Sequence, residues 1–455
     1  MKLSASDTNR DLEHSRPFDV HTWGNFPQVN MFVDYIYLHY FVANGLEEKN
    51  TGKHNLKKVL IDLYVNWLED PEKCIAFHRS NNKYSTNTRY NKLNISKKVP
   101  KLITQLGDLG LVDWTVGYYQ QEGKSRISRM WPTLELIDHF KKADLNKFYF
   151  TDGCHSAFDN ENSPSYAKAV LPEYRPVEDR ECIIFKQRNP DRKAKEKQLP
   201  IEYKDNKNTR RMREELMAYN RLLVRTHIDL AFLEGPYLRI ENEKRIEENK
   251  RWEAQGHSDR WHLNKLETRI PIVQHHKFTT RQFANSSWKQ GGRFYGGWWQ
   301  RIPAEYRPQI MINSTPTTEI DYSAHHPVLL YAQKGINYWK DIGGDLYELP
   351  GEYLLDRRPG VNDGSFNREL LKFLLLMIIN AKSPESAFSA FRTRVLDLYP
   401  ERFPNVATRS VNLWPALQAF QEKHKPIADK FCSGAGIKLQ YIASEITAKI
   451  PKYST

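Results

Sequence analysis

Asp321 is the first residue of this chain whose type and setting suit chemistry. It ends a short β-like run, Thr318-Glu319-Ile320, and is followed by Tyr322, Ser323 and an apolar run over Pro327–Ala332. A carboxylate delivered where a strand gives way to a helix is a hard oxygen donor. It suits Mg²⁺, which is usually held by one or two carboxylates together with substrate phosphates. Further on, Arg368 and Lys372 stand one helical turn apart, with apolar residues from Phe373 to Ile379 behind them. Cations so placed share a helix face and repel each other, which suits an anion bound between them. The plainer reading of the same pair is a core helix with two cations reaching out to water. Upstream, the stretch 291–303 (GGRFYGGWWQRIP) mixes glycines, aromatic rings and arginines. Glycine lets backbone approach a ligand closely, and aromatic faces beside arginine suit bases and phosphates. A tight turn that packs its tryptophans into a core explains the stretch equally well.

Taken together, these motifs resemble the palm and fingers of family A DNA polymerases, over roughly residues 281–455. Asp321-Tyr322-Ser323 is similar to motif A, whose Asp binds both catalytic metals. Arg368 and Lys372 are similar to the cations of motif B, which grip the incoming triphosphate. Arg293 matches a primer-strand contact, and Gln300-Arg301-Ile302-Pro303 a Gln-x-x-Pro-like element. The segment 434–445 (GAGIKLQYIASE) resembles the helix before motif C, with Gln440 toward the template. The resemblance implies phosphoryl transfer from a nucleoside triphosphate to a nucleic-acid 3′-hydroxyl, with Mg²⁺ as cofactor and Mn²⁺ as its substitute. As in phage and mobile-element proteins of this kind, the partner is primer–template or duplex DNA.

The chain departs from that pattern in three places. No His-Asp dipeptide of the motif C kind occurs in it. A two-metal site needs carboxylates holding ions roughly 3.5–4 Å apart. Three outcomes follow: a silent or truncated polymerase remnant acting as a DNA-binding accessory, a substitute carboxylate (Asp345, Glu348 or Glu445), or a partner chain completing the palm. His326 stands where the family carries a sugar-discriminating Glu, which leaves DNA versus RNA synthesis open. Leu376 and Asn380-Ala381 replace the aromatic and Tyr-Gly residues of motif B.

The expected fold class is α+β and multidomain. Residues 1–25 read as a polar lead. Over 26–145, helical patterns at 31–43 and at Leu56, Val59, Leu60, Leu63 and Trp67 precede a helix headed by Ser96. That helix has Val99, Ile103, Leu106 and Leu109 inside and Lys97, Lys98, Lys101 and Gln105 outside. Alternating runs at 111–119 and 126–131 follow, joined by a turn containing Lys124. This order resembles a winged helix-turn-helix, in which Lys97, Lys98, Lys101 and Gln105 would face DNA and Lys124, Arg126 and Arg129 would serve the wing. Residues 146–200 form a connector. A helical, thumb-like region spans 201–265, with an Arg-rich face over 209–232. The palm-like half spans 266–455.

The 455 residues include 68 Lys and Arg against 55 Asp and Glu, for a formal charge of +13. That balance favours a polyanionic partner. Four isolated cysteines give no zinc or disulfide pattern, in keeping with a reducing cytoplasm in a bacterial or phage-infected cell. No apolar run reaches membrane-spanning length, and the first residues lack a signal-peptide core.

Overall fold

The computed structural model describes residues 2–3, 10–24, 27–46, 50–80, 84, 88–91, 95–119, 125–143, 145, 180–191, 197–233, 237–241, 254, 267–272, 277–349, 365–398 and 411–449. The fold is mixed α+β. The chain separates into two compact units. The first takes Met1–Ile184, Glu202–Arg281 and Tyr295–Glu319; the second takes Phe185–Ile201, Gln282–Phe294 and Ile320–Thr455.

In the first unit, the helix Asn50–Glu69 buries Leu56, Val59, Leu60 and Leu63, the residues at helical spacing. Its neighbour Val99–Asp108 contributes Val99, Leu102, Ile103 and Leu106 to the same core. Ser96 lies outside the N-cap, which is Lys98; its hydroxyl instead accepts from the Lys98 N–H at 3.3 Å and from Asn55. Five short strands run in the order Lys2–Leu3, Val112–Thr115, Ser128–Pro132, Cys74–Phe77, Ser15–Pro17. Val112–Thr115 and Ser128–Pro132 form the expected antiparallel pair, Val112 opposite Pro132. Cys74–Phe77 joins the other side of Ser128–Pro132, also antiparallel. The alternating run breaks after Thr115, and at Gly117 any Cβ would lie 2.1 Å from the Arg126 carbonyl.

A polar seam inside this unit is invisible to simple periodicity. Lys58 and Asp62 are fully buried on the Asn50–Glu69 helix. Arg16 grips Asp62 with both terminal nitrogens, at 3.2 and 3.0 Å, and Lys58 donates to the Thr22 carbonyl at 2.8 Å. Removing one partner of such a pair is costly because the other charge is left buried.

The rest of the first unit is built on the helix Lys207–Arg225. Small sheets lie at Ile228–Leu230, Ile310–Ile312 and Thr315–Pro316, and at Tyr237–Glu241 with Glu267–Pro271. Asn313 and Ser314 take positive φ in the two-residue turn of the 310–316 hairpin, the conformation such turns demand. This hairpin uses up the β-forming residues ahead of Asp321. The expected strand at 318–320 does not form: the last bond of the ladder is from the Thr317 N–H to the Ile310 carbonyl, at 3.2 Å, and Ile320 beyond it is 84% exposed.

The larger part of a four-stranded sheet belongs to the second unit, in the order Ser287–Tyr295, Thr280–Ala284, Ile183–Arg188, Gln198–Pro200. With it go the helices His325–Gln333, Ser365–Asn380, Pro384–Leu398, Trp414–Lys423 and Gly436–Thr447. Their shared core includes Leu330, Tyr331, Leu370, Leu374, Ile378, Phe388, Leu417 and Leu439.

Candidate functional site

The Ser365–Asn380 helix is two-faced. Leu370, Leu371, Leu374, Leu375, Ile378 and Ile379 are buried, while Arg368, Lys372, Leu376 and Asn380 are exposed. These four fall at successive four-residue steps, so they form one outward stripe. The apolar run covers the inner faces and leaves this stripe in water.

Opposite the stripe stands Tyr347. The Arg368 guanidinium lies 5.3 Å from its ring centroid and the Lys372 ammonium 5.9 Å. Arg368 is ion-paired with Asp345. Burial alone would raise the Asp345 carboxyl, but Arg368, the Tyr347 N–H and the Lys423 charge outweigh it and hold it below the ordinary value. Burial, with the charges of Asp345 and Asp321, pushes the Tyr347 phenol up against the opposing effect of Arg368.

On the other flank are His325, His326 and Arg293. Burial, reinforced by Arg293 and His325, lowers His326 to about 4. His325 is also lowered, by burial and Arg293 against the opposing charge of Asp321. Both imidazoles are neutral near pH 7. His326 Nδ1 is buried with no hydrogen-bond partner among the described residues. Asp321 and Tyr322 are exposed in the loop before the His325–Gln333 helix, whose N-cap Ala324 is left-handed.

One helix meets the elements that carry the two histidines, Arg368 and Arg293. Gly436–Thr447 packs against both His325–Gln333 and Ser365–Asn380. A Cβ at Gly436 would fall 1.7 Å from Asn380 Oδ1. At its other end Ser444 and Tyr441 close on Gly292, where an added Cβ would lie 2.7 Å from Ser444 Oγ. Gly292 takes φ +73 next to Arg293, so glycine is needed there both for conformation and for space. Arg293 itself is exposed.

Sequence reasoning named Asp345 and Glu348 as substitute carboxylates but missed Tyr347 between them and the contacts that hold this segment. Lys423 donates to the Asp345 and Glu348 carbonyls. His424, fully buried, donates from Nε2 to the Leu346 carbonyl and accepts at Nδ1 from the Tyr331 hydroxyl, both at 2.9 Å. Burial lowers this imidazole to about 4. These contacts join residues far apart in sequence, and no local motif marks them.

The other expected residues are placed as follows. Gln440 is half-buried on the Gly436–Thr447 helix and Glu445 is half-buried beside it; Glu348 is exposed. Gln300, in the first unit, is exposed and accepts from the Gly296 N–H at 3.2 Å. Lys97, Lys98 and Lys101 are exposed at the start of the Val99–Asp108 helix, whereas Gln105 is half-buried rather than outside. Lys124 lies outside the described residues. Arg126 and Arg129 are both 7% exposed. Arg126 lies 5.0 Å over the Tyr118 ring, and Arg129 donates to the Leu12, Ile127 and Ser128 carbonyls. Arg129 lies on Ser128–Pro132, whose residues are all buried, and Arg126 on the short strand Ser125–Arg126 opposite Tyr118, so neither is the exposed wing cation expected of it.

Among the described residues, no group of three or more His, Cys, Asp or Glu side chains is gathered as a metal cage, and no helix is long and apolar enough to cross a membrane. Comparison with protein-family models, with curated proteins and with solved structures finds no match to this chain.

Proposed function

We propose that the chain is a nucleic-acid-binding nucleotidyltransferase of the family A DNA polymerase kind. The observation that carries this reading is the exposed Arg368–Lys372 stripe, faced by the Tyr347 ring. Arg368 and Lys372 hold the triphosphate. Tyr322 and His326 border it, and Arg293 takes the 3′-terminal strand. The 3′-hydroxyl oxygen bonds to the α-phosphorus in line with the leaving pyrophosphate, whose bridging P–O bond breaks, and the hydroxyl proton passes to solvent. Such transfer asks the protein mainly for positioning and charge stabilisation.

Asp321 offers one hard oxygen ligand to Mg²⁺ or Mn²⁺, the rest coming from phosphate and water. Among the described residues no group of three or more possible metal ligands is gathered, and Asp345 is ion-paired with Arg368, so we derive no step through a metal pair. The second reading is a DNA-binding accessory that holds a nucleotide without transferring it.

Nucleic-acid binding is supported in the first unit by element order: helix Asn50–Glu69, strand Cys74–Phe77, helix Val99–Asp108, then the 112–132 hairpin, with Cys74–Phe77 paired to its second strand. That is the order of a winged helix, with Lys97, Lys98 and Lys101 as its exposed cations.

Triphosphate binding by calorimetry tests the site. A charge-assisted contact contributes about 1.5–3 kcal/mol, so Arg368→Ala and Lys372→Ala should each weaken binding by roughly ten- to a hundredfold. Unchanged affinity in both would sink the reading.

A further inference from the structure

We infer that the outer faces of two neighbouring helices in the first unit, carrying Met31, Tyr35, Leu38 and Leu134, pair with the same faces of a second copy of this chain as a two-fold dimer. None of the groups proposed above to hold nucleotide or DNA belongs to this surface.

The helix Pro27–Ile36 runs on into the wide π-turn Tyr37–Phe41. Its inner side buries Val29, Phe32, Val33, Ile36 and Phe41. Its outer side leaves Met31, Tyr35 and Leu38 exposed, Met31 by 70%. These three recur at steps of four and three residues, so they form one stripe. The helix Leu134–Lys142 lies alongside. The rings of Phe32 and Phe140 are 5.7 Å apart and those of Tyr35 and His139 5.4 Å, and the Tyr40 hydroxyl donates to Glu135 at 2.6 Å. Rising numbers on the first segment meet falling numbers on the second, so the two run antiparallel. Leu134, at the start of the second helix, is 85% exposed.

Single apolar side chains on a surface are ordinary, but a contiguous apolar face with a polar rim marks an interaction site. Charge says what covers this one. Asp34, Glu135 and Asp138 balance Lys53, Lys141 and Lys142, and the pairs Asp34–Lys53 and Asp138–Lys142 are closed at 2.5 Å. The patch is thus neutral in a chain of formal charge +13. It offers a polyanion no net cation, and it does not repel its own copy.

The charges are also ordered along the helix. Leu134–Lys142 carries Glu135 in its first turn and Lys141 and Lys142 in its last. A two-fold axis crossing both helices sets Glu135 against the second copy's Lys141 and Lys142. The same axis sets Met31 against the second copy's Leu38, with Tyr35 at the centre. Tyr35 lies beside His139, near the middle of the other helix, so one axis serves both pairings. The four-and-three spacing of the stripe is that of a helix–helix seam.

The test is sedimentation velocity of the full chain over a concentration series up to about 100 μM, which covers a micromolar interface. Wild type should move toward twice the chain's mass as concentration rises. Met31→Glu/Leu38→Glu should weaken association by about tenfold or more, with circular dichroism unchanged because both side chains are exposed. Lys141→Glu/Lys142→Glu should weaken it through repulsion from Glu135, and adding Glu135→Lys should restore it, a recovery that pairing between like faces produces. Wild type that stays monomeric throughout, association that survives Met31→Glu/Leu38→Glu, or a lysine reversal that Glu135→Lys does not relieve would overturn the dimer.

Discussion

Arg368 and Asp345 each serve as the other's counter-ion, and on the proposed role of Arg368 a bound phosphate displaces the carboxylate. Arg368 is 51% exposed and Asp345 25%, so the pair is screened by water and contributes about 0.2–1 kcal/mol. Asp345→Asn should therefore tighten triphosphate binding about two- to fivefold, and should change nothing in an Arg368→Ala background. Equal tightening in both backgrounds would show that Asp345 acts elsewhere.

His424 offers a pH test. Its folded value is about 4 against an ordinary 6.5, so the unfolded chain takes up the proton first as pH falls. The stability is present above about pH 6.5 and is lost as pH drops toward 4, on the order of 2–3 kcal/mol. Thermal melts at pH 7.5 and 4.5 should show a smaller acid loss in His424→Gln than in wild type. Parallel pH profiles would contradict the assignment.

At the scale of elements, the Gly436–Thr447 helix sets the site by touching the supports of Arg293, Asp321 and Arg368. Gly436→Ala forces it away from Asn380 and should cost about 1–3 kcal/mol, as overpacking does. The same change should weaken triphosphate binding, although residue 436 is not among the groups proposed to hold it. Loss of stability with full affinity would show that this packing does not position the site.

Helix faces were largely legible in the sequence, because burial follows a period of 3.6. Leu56, Val59, Leu60 and Leu63 lie inside, and Arg368 and Lys372 share one outward stripe. The hairpin 112–132 was legible for the same kind of reason, with period two. What failed depended on competition between neighbours. The 318–320 run is β-like alone, but 310–316 makes the hairpin and leaves it unpaired. Arg126 and Arg129 looked like wing cations, but the tertiary fold buries both side chains. The Lys423 and His424 contacts to 345–348 join residues more than 70 positions apart, beyond the reach of any local pattern.

Across the whole molecule, the two units divide the proposed work. The first carries the helix–strand–helix–hairpin order of residues 50–132 and the exposed Lys97, Lys98 and Lys101. The second carries Asp321, Tyr347, Arg368 and Lys372. A formal charge of +13 serves binding in either reading and does not separate a transferase from an accessory. Chemistry separates them, and Asp321 is the residue on which it turns. The most direct measurement is extension of a labelled primer on a DNA template with Mg²⁺ or Mn²⁺ and all four triphosphates, comparing wild type with Asp321→Asn. The account predicts extension by wild type and only background in the variant, with triphosphate and duplex binding kept by both. Wild type that binds duplex and triphosphate yet adds no nucleotide, or a variant that extends as well as wild type, would contradict it.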